Sequence, residues 1–273
     1  MSVIVAVCVV AGLVSMGHHR AVLAAQAQAI AQRLTAEQKA RDRLVAAEAL
    51  QNELASTYSW ISPVDCRLQP CIALTFDDGP NPYTTPQIVD ILEKENVHAS
   101  FFMVGSRVHG NEALLRRMFQ DGDEIGDHSW THPDFTKLKP AQIKQQIAQT
   151  QQVIADAGVP EPTLFRPPYG AINQKVIDNV PMAIMFWNED PQDWAADSPG
   201  QVEKAVIASA KPGGVVDMHD IYQVTAKSLD PIIKKLKTEH YQFVTVSQLL
   251  GLKPGQKGEF YGYKPSDFHS AAH

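Results

Sequence analysis

Between residues 72 and 245, short runs rich in apolar residues alternate with longer stretches in which apolar residues return every third or fourth position. The runs at 72–76, 99–104, 124–127, 164–166, 182–187, 214–218 and 242–245 predict strands buried on both faces. The stretches at 85–95, 111–121, 140–157, 173–179, 199–210, 226–238 and 247–250 predict amphipathic helices. Strand and helix in alternation predict an α/β fold of parallel strands with helices outside. When such a sheet closes into a (β/α) barrel, the C-terminal ends of its strands carry the chemistry.

Both ends of the chain follow other patterns. Residues 3–17 are apolar and uncharged, a run shorter than the ~20 residues of a comfortable membrane helix. Residues 1–20 therefore read as a signal peptide or short membrane anchor, although no Lys or Arg precedes the run and Arg20 follows it. Ala25-Gln26-Ala27 and Ala27-Gln28-Ala29 both offer small-residue cleavage sites. From 21 to 56 the chain is rich in Ala, Gln, Glu, Arg and Leu, without Gly or Pro, which predicts one helical stalk roughly 50 Å long. Residues 253–273, with Gly, Lys, Ser and Ala, read as a loosely ordered tail. The expectation is an exported protein, secreted or held at the outer face of the cytoplasmic membrane, touching the membrane only through its N-terminal segment.

Composition narrows the partner. The chain has 273 residues, 24 of them Lys or Arg against 30 Asp or Glu, for a net charge of -6. That balance leaves no nucleic-acid footprint, and a neutral glycan is the easier partner. Oligomeric state leaves no trace in the sequence.

Two motifs carry candidate chemistry. In Thr75-Phe76-Asp77-Asp78-Gly79-Pro80 an apolar strand runs into two adjacent acids. Neighbouring strand residues point to opposite faces, so both carboxylates reach one centre only if the strand ends or bends there, which Gly79 and Pro80 allow. One acid can then bind a metal while the other acts as a base. In His128-Ser129-Trp130-Thr131-His132-Pro133 the two histidines stand at i and i+4, which on one face of a helical turn would bring both imidazoles to one cation. An Asp-His-His set leaves a coordination position open, the mark of a catalytic site, and zinc suits it best among the transition metals.

With Arg166-Pro167-Pro168-Tyr169-Gly170, Asp190-Pro191-Gln192-Asp193-Trp194 and Met218-His219-Asp220, these motifs resemble, in order, the five motifs of the polysaccharide deacetylases, the NodB-homology group or carbohydrate esterase family four. The resemblance covers residues 66–252 and implies a distorted (β/α) barrel of seven strands. It also implies metal-dependent removal of N-acetyl groups from a glycan. By that resemblance Asp77 is the general base, Asp78, His128 and His132 hold one divalent metal, and His219 is the general acid. Asp193 orients His219, and Arg166 holds Asp77 ionised. The Tyr169 N–H faces the oxyanion, and Trp194 walls the sugar pocket. Peptidoglycan N-acetylglucosamine is the first substrate, since the N-terminal segment and stalk would hold the barrel near its own envelope. A chitin-oligosaccharide deacetylase and an acetyl-xylan esterase share the chemistry, and a glycan-binding module with a decayed site is the reading from another class.

One position departs from the pattern. Two residues before His219 the family carries an apolar residue lining the acetyl pocket, and here it is Asp217. An acid there faces outward through a local bend, pairs with Arg or Lys, or narrows the substrate range; a buried unpaired carboxylate is costly enough to favour the first two. Asn81 and Tyr83 are expected at the groove rim, whereas Trp187 and the histidines at 98, 109 and 240 are expected to have no catalytic part. Cys66 and Cys71, just before the first strand, could close a small disulfide in an exported protein, a pairing the sequence leaves open.

Overall fold

The computed structural model describes residues 28, 30, 32–36, 38–43, 66 and 69–262. The chain divides into two compact units, Met1–Ser62 and Pro63–His273. In the first unit every described position between 28 and 43 is helical (α1), and the rest of the predicted stalk 21–56 lies outside the described residues. The apolar run 3–17 lies outside the described residues. No helix among the described residues is long and apolar enough to cross a membrane.

The second unit is a parallel α/β barrel. Its strands are β1 (Cys71–Asp77), β2 (Ser100–Met103), β3 (Glu124–Asp127), β4 (Leu164–Phe165), β5 (Ala183–Met185), β6 (Gly214–His219), β7 (Gln242–Phe243) and β8 (Gly258–Phe260). The helices α2 (Thr85–Glu95), α3 (Glu112–Gln120), α4 (Pro140–Asp156), α5 (Gln174–Asn179), α6 (Pro199–Ser209), α7 (Gln223–Thr238) and α8 (Val246–Leu250) connect them. All pairings are parallel, in the order β6-β1-β2-β3-β4-β5-β8, with β7 attached to the start of β1. Beyond β5, Glu189 bridges Val216 and its carbonyl accepts the Asp217 N–H at 2.9 Å, so the two ends of the sheet meet.

Alternation along the strands sorts the core into layers. Ile72, Leu74 and Phe76 of β1 pack with Val216 and Met218 of β6 and with helix residues such as Ile88, Val206 and Leu229. Cys71, Ala73 and Val215 face the other way and pack with Phe102, Leu164 and Met185 inside the barrel. The same period-two rule sends Thr75, Asp77, Asp217 and His219 into the interior.

The predicted seven strands are present, but the sequence reading of 253–273 as a tail is corrected in part: Gly258–Phe260 forms β8 on the free edge of β5. What holds it is backbone pairing plus aromatic packing, with the Phe186 N–H donating to the Phe260 carbonyl at 2.7 Å and Tyr261 stacked on Phe186 at 4.6 Å. Residues 263–273 lie outside the described residues. Cys66 and Cys71, whose pairing the sequence left open, form a disulfide with an S–S distance of 2.01 Å, tying the entry segment to the first residue of β1.

Candidate active site

The site stands where β1, β3, β4 and β6 end. β1 stops at Asp77, and Asp78 follows with φ 74, a left-handed conformation that turns its side chain back beside that of Asp77. The bend expected at Gly79-Pro80 thus begins one residue earlier. Gly79 is needed for another reason: a Cβ there would lie 2.0 Å from Asp220 Oδ2, whose buried carboxylate also accepts a hydrogen bond from Thr85 Oγ1 at 2.6 Å.

His128 and His132 come together, but not on a helical turn. β3 ends at Asp127, and the chain leaves it in a loop with φ 72 at Ser129 and φ 58 at His132. Asp127 Oδ1 accepts the Ser129 N–H at 2.7 Å, and Ser129 Oγ accepts the His132 N–H at 2.9 Å. These bonds and Pro133, which disfavours the right-handed helical region for the residue before it, replace the predicted turn. The two rings lie 4.9 Å apart, and Tyr169 meets His132 edge-on at 4.6 Å.

The ligand atoms of Asp78, His128 and His132 all lie within 4.8 Å of one another. Asp78 Oδ1 is 3.6 Å from His128 Nε2 and 3.1 Å from His132 Nε2, yet it is buried without a hydrogen-bond partner. The Arg166 carbonyl accepts from His128 Nδ1 at 2.7 Å, which fixes the proton on Nδ1. Burial lowers the His128 pKa to about 3, so its ring is neutral and Nε2 presents a bare lone pair. A lone pair aimed at an orphaned carboxylate oxygen repels it, and a cation between them removes the conflict. The three residues fit a divalent metal on these grounds.

Arg166 follows β4 and is completely buried. Its Nη1 donates to Thr75 Oγ1 (2.7 Å), Asp77 Oδ1 (2.9 Å) and Asp217 Oδ1 (2.8 Å). Nε and Nη2 donate to the carbonyls of Met185 (3.3 Å) and Phe186 (3.2 Å), and the guanidinium carbon lies 4.1 Å from the Phe102 ring centroid. Burial raises the Asp77 pKa and outweighs the opposing charge of Arg166. One guanidinium serves two buried carboxylates.

Asp217 does not face outward. β6 keeps unbroken register with β1 from Ile72↔Gly214 to Asp77↔His219, leaving no bend to turn it, and it is 5 % exposed. Of the sequence-based alternatives, pairing with a cation holds, and the partner is Arg166.

His219 ends β6 with its Nδ1 donating to Asp193 Oδ1 at 2.8 Å. Asp193 Oδ2 accepts from the His219 N–H at 2.8 Å and Thr225 Oγ1 at 2.6 Å. Burial works against the imidazolium, but the Asp193 hydrogen bond and the charges of Asp193, Asp77 and Asp217 overcome it and raise the pKa to about 10. Trp194 is 57 % exposed and Tyr169, at φ 62, is 71 % exposed. Tyr83 is also exposed, at the turn where Asn81 Oδ1 accepts its N–H. Thr75, Phe102 and Thr225 also build the site, through their contacts with Arg166 and Asp193, and the sequence reading gave them no part in it. Thr75 alone had a sequence signal, its period-two spacing from Asp77.

The polysaccharide deacetylase family pattern matches residues 65–182. The peptidoglycan-N-acetylglucosamine deacetylase PgdA of Listeria monocytogenes is 44% identical over 182 residues, 67% of this chain and 39% of that protein. This chain therefore spans well under half the length of that relative. The solved structure of the peptidoglycan deacetylase PdaC from Bacillus subtilis matches with 45% identity and a TM-score of 0.67, covering 69% of this chain and 93% of that one. A family 4 acetyl xylan esterase from Clostridium thermocellum, solved with a cobalt ion, matches with 35% identity and a TM-score of 0.66 over 70% of this chain and 98% of that one.

Proposed function

The chain belongs to the polysaccharide deacetylase family, and from that premise we propose that it is an exported, zinc-dependent hydrolase of N-acetyl groups on peptidoglycan N-acetylglucosamine. The observation that carries the reading is the pair of bare acceptors, Asp78 Oδ1 and His128 Nε2, beside a buried carboxylate and a histidine held by a second one. Asp78, His128 and His132 would hold the metal, which when bound polarises the acetyl carbonyl and makes water more acidic.

The remaining steps belong to side chains. Asp77 takes the proton of the attacking water, helped by a pKa raised toward the working pH. Arg166 fixes Asp77 Oδ1, so the other oxygen is left to meet water. The Tyr169 N–H lies outside the hydrogen bonds that Gly170 and Ala171 return to Pro167 and Pro168, and it is assigned to the developing oxyanion. As the carbon–nitrogen bond breaks, His219 Nε2 gives its proton to the leaving nitrogen, and amine and acetate depart. Asp193 holds His219 through Nδ1, which keeps Nε2 directed at the substrate. Trp194 offers an exposed ring to a sugar face.

Two features support export: the disulfide, a bond of oxidising compartments, and the apolar run at 3–17. Acetate release by the zinc-supplied full chain from peptidoglycan, chitin oligomers and acetylated xylan tests the reading. Fastest release from peptidoglycan is expected. Faster release from chitin or xylan would move the substrate, and none from any would favour a glycan-binding module.

A further inference from the structure

The barrel interior below the reacting groups is built in layers. On β1 and β6 the inward-facing residues stand in register: Ala73 beside Val215, then Thr75 beside Asp217, then Asp77 beside His219. The first pair belongs to the apolar interior and the last carries the proposed base and acid. Between them lies a polar layer of Thr75, Asp217 and the Arg166 guanidinium. Thr75 is satisfied within the protein, since its hydroxyl donates to the Val216 carbonyl at 2.7 Å and accepts from Arg166. Asp217 is not. Its Oδ1 accepts from Arg166, whereas Oδ2 takes no hydrogen bond among the described residues. Although the residue is 5 % exposed, Oδ2 is not among the fully enclosed unpartnered oxygens, so it keeps a face on open space. The next layer above it on the two strands holds Asp77 and His219.

Tetrahedral geometry brings the substrate's acyl group to this oxygen. For the proposed reaction, the carbonyl oxygen turns toward the Asp78, His128 and His132 cluster and the leaving nitrogen toward His219. The remaining substituent on the carbonyl carbon then points down into the barrel, at the polar layer. A methyl group there would cover Oδ2 and take its access to water without a hydrogen bond in return, which is unfavourable. A hydroxyl group would bond it in either protonation state: the carboxylate accepts from the hydroxyl, and the neutral carboxyl donates to it. Burial and the charge of Asp77 both press Asp217 toward the neutral form, so this tolerance has a use.

We infer that Asp217 sets acyl selectivity, and that the preferred substrate carries a hydroxyl on the carbon next to the amide carbonyl, as in an N-hydroxyacetyl amino sugar. The chemistry balances as before: water adds, the carbon–nitrogen bond breaks, His219 protonates the nitrogen, and hydroxyacetate leaves in place of acetate. The inference rests on the deacetylase reading given above.

The test compares kcat/KM of the zinc-supplied full chain on glucosamine oligomers bearing N-acetyl or N-hydroxyacetyl groups. A preference of about three- to tenfold for N-hydroxyacetyl is expected, the worth of one hydrogen bond. Asp217→Leu should reverse it, and Asp217→Asn, which still hydrogen-bonds, should keep part of it. Equal rates, or an acetyl preference that Asp217→Leu leaves unchanged, overturn the inference while the deacetylase reading stands. Release from neither substrate overturns that reading, and this inference with it. Should Asp217→Leu fail to fold, product inhibition of the wild type decides: hydroxyacetate should inhibit at about a third of the acetate concentration or less, and equal inhibition overturns the inference.

Discussion

Asp193→Asn isolates the electrostatics of the proposed acid. Asp193 gives one oxygen to His219 Nδ1 and the other to the His219 N–H and Thr225 Oγ1. An asparagine has a single acceptor end, so one of these donors must face an amide N–H. With that carboxylate, His219 rises from 6.5 to about 10, equivalent to about 5 kcal/mol in favour of the imidazolium. Without it, burial is the largest remaining influence, and the pKa returns to the ordinary histidine range or below. At pH 8 the protonated fraction then falls from nearly all to a few per cent or less. The assay is kcat/KM for acetate release from pH 5 to 10, with metal content measured in parallel. The wild-type alkaline limb should lie well above neutral pH, and the variant limb near or below about 6.5. Activity should recover as the pH is lowered, which a merely structural lesion would not allow. An unmoved limb, or the same loss at every pH, would refute the reasoning.

Three further outcomes follow from the same geometry. Asp77→Asn keeps the shape and removes the proton acceptor, so metal content should persist while kcat falls on the order of a hundredfold or more, and a wild-type rate would show the two acids to be assigned the wrong way round. Arg166→Leu leaves Asp77 and Asp217 buried without their cation and should lower urea stability by about 3–5 kcal/mol, with Asp217→Leu on top of it recovering part of the loss; simple additivity would deny that they share the guanidinium. Because the folded pKa of His219 exceeds its unfolded value of 6.5, its stabilisation is complete below that pH and is lost as pH rises toward about 10. Metal-free protein should therefore weaken between pH 6.5 and 10, and Asp193→Asn should lessen that slope; an equal slope in both would contradict the assignment.

What the sequence made legible was whatever has a period or an order. The buried parallel strands showed as short runs rich in apolar residues because both their faces are covered, and the site residues showed because five motifs occur in sequence. Long-range geometry left no such trace. The convergence of His128 and His132 follows from the loop conformations of Ser129 and His132, which the i, i+4 spacing does not encode. Asp217 stood out as a departure, but its pairing with Arg166 depends on register between β1 and β6 and on a residue 51 positions away. β8 escaped notice because Gly258–Phe260 is too short to alternate, and it is held by pairing with β5 and by the stacking of Tyr261 on Phe186.

The central claim is that Asp78, His128 and His132 hold one divalent metal on which deacetylation depends. The direct measurement is bound zinc, by atomic absorption, in wild type and His132→Ala, with acetate release recorded on the same samples before and after chelation and zinc return. The account predicts a single tightly bound equivalent in the wild type, activity lost on chelation and restored by zinc, and neither tight zinc nor activity in His132→Ala. Full zinc and full acetate release in His132→Ala would contradict it.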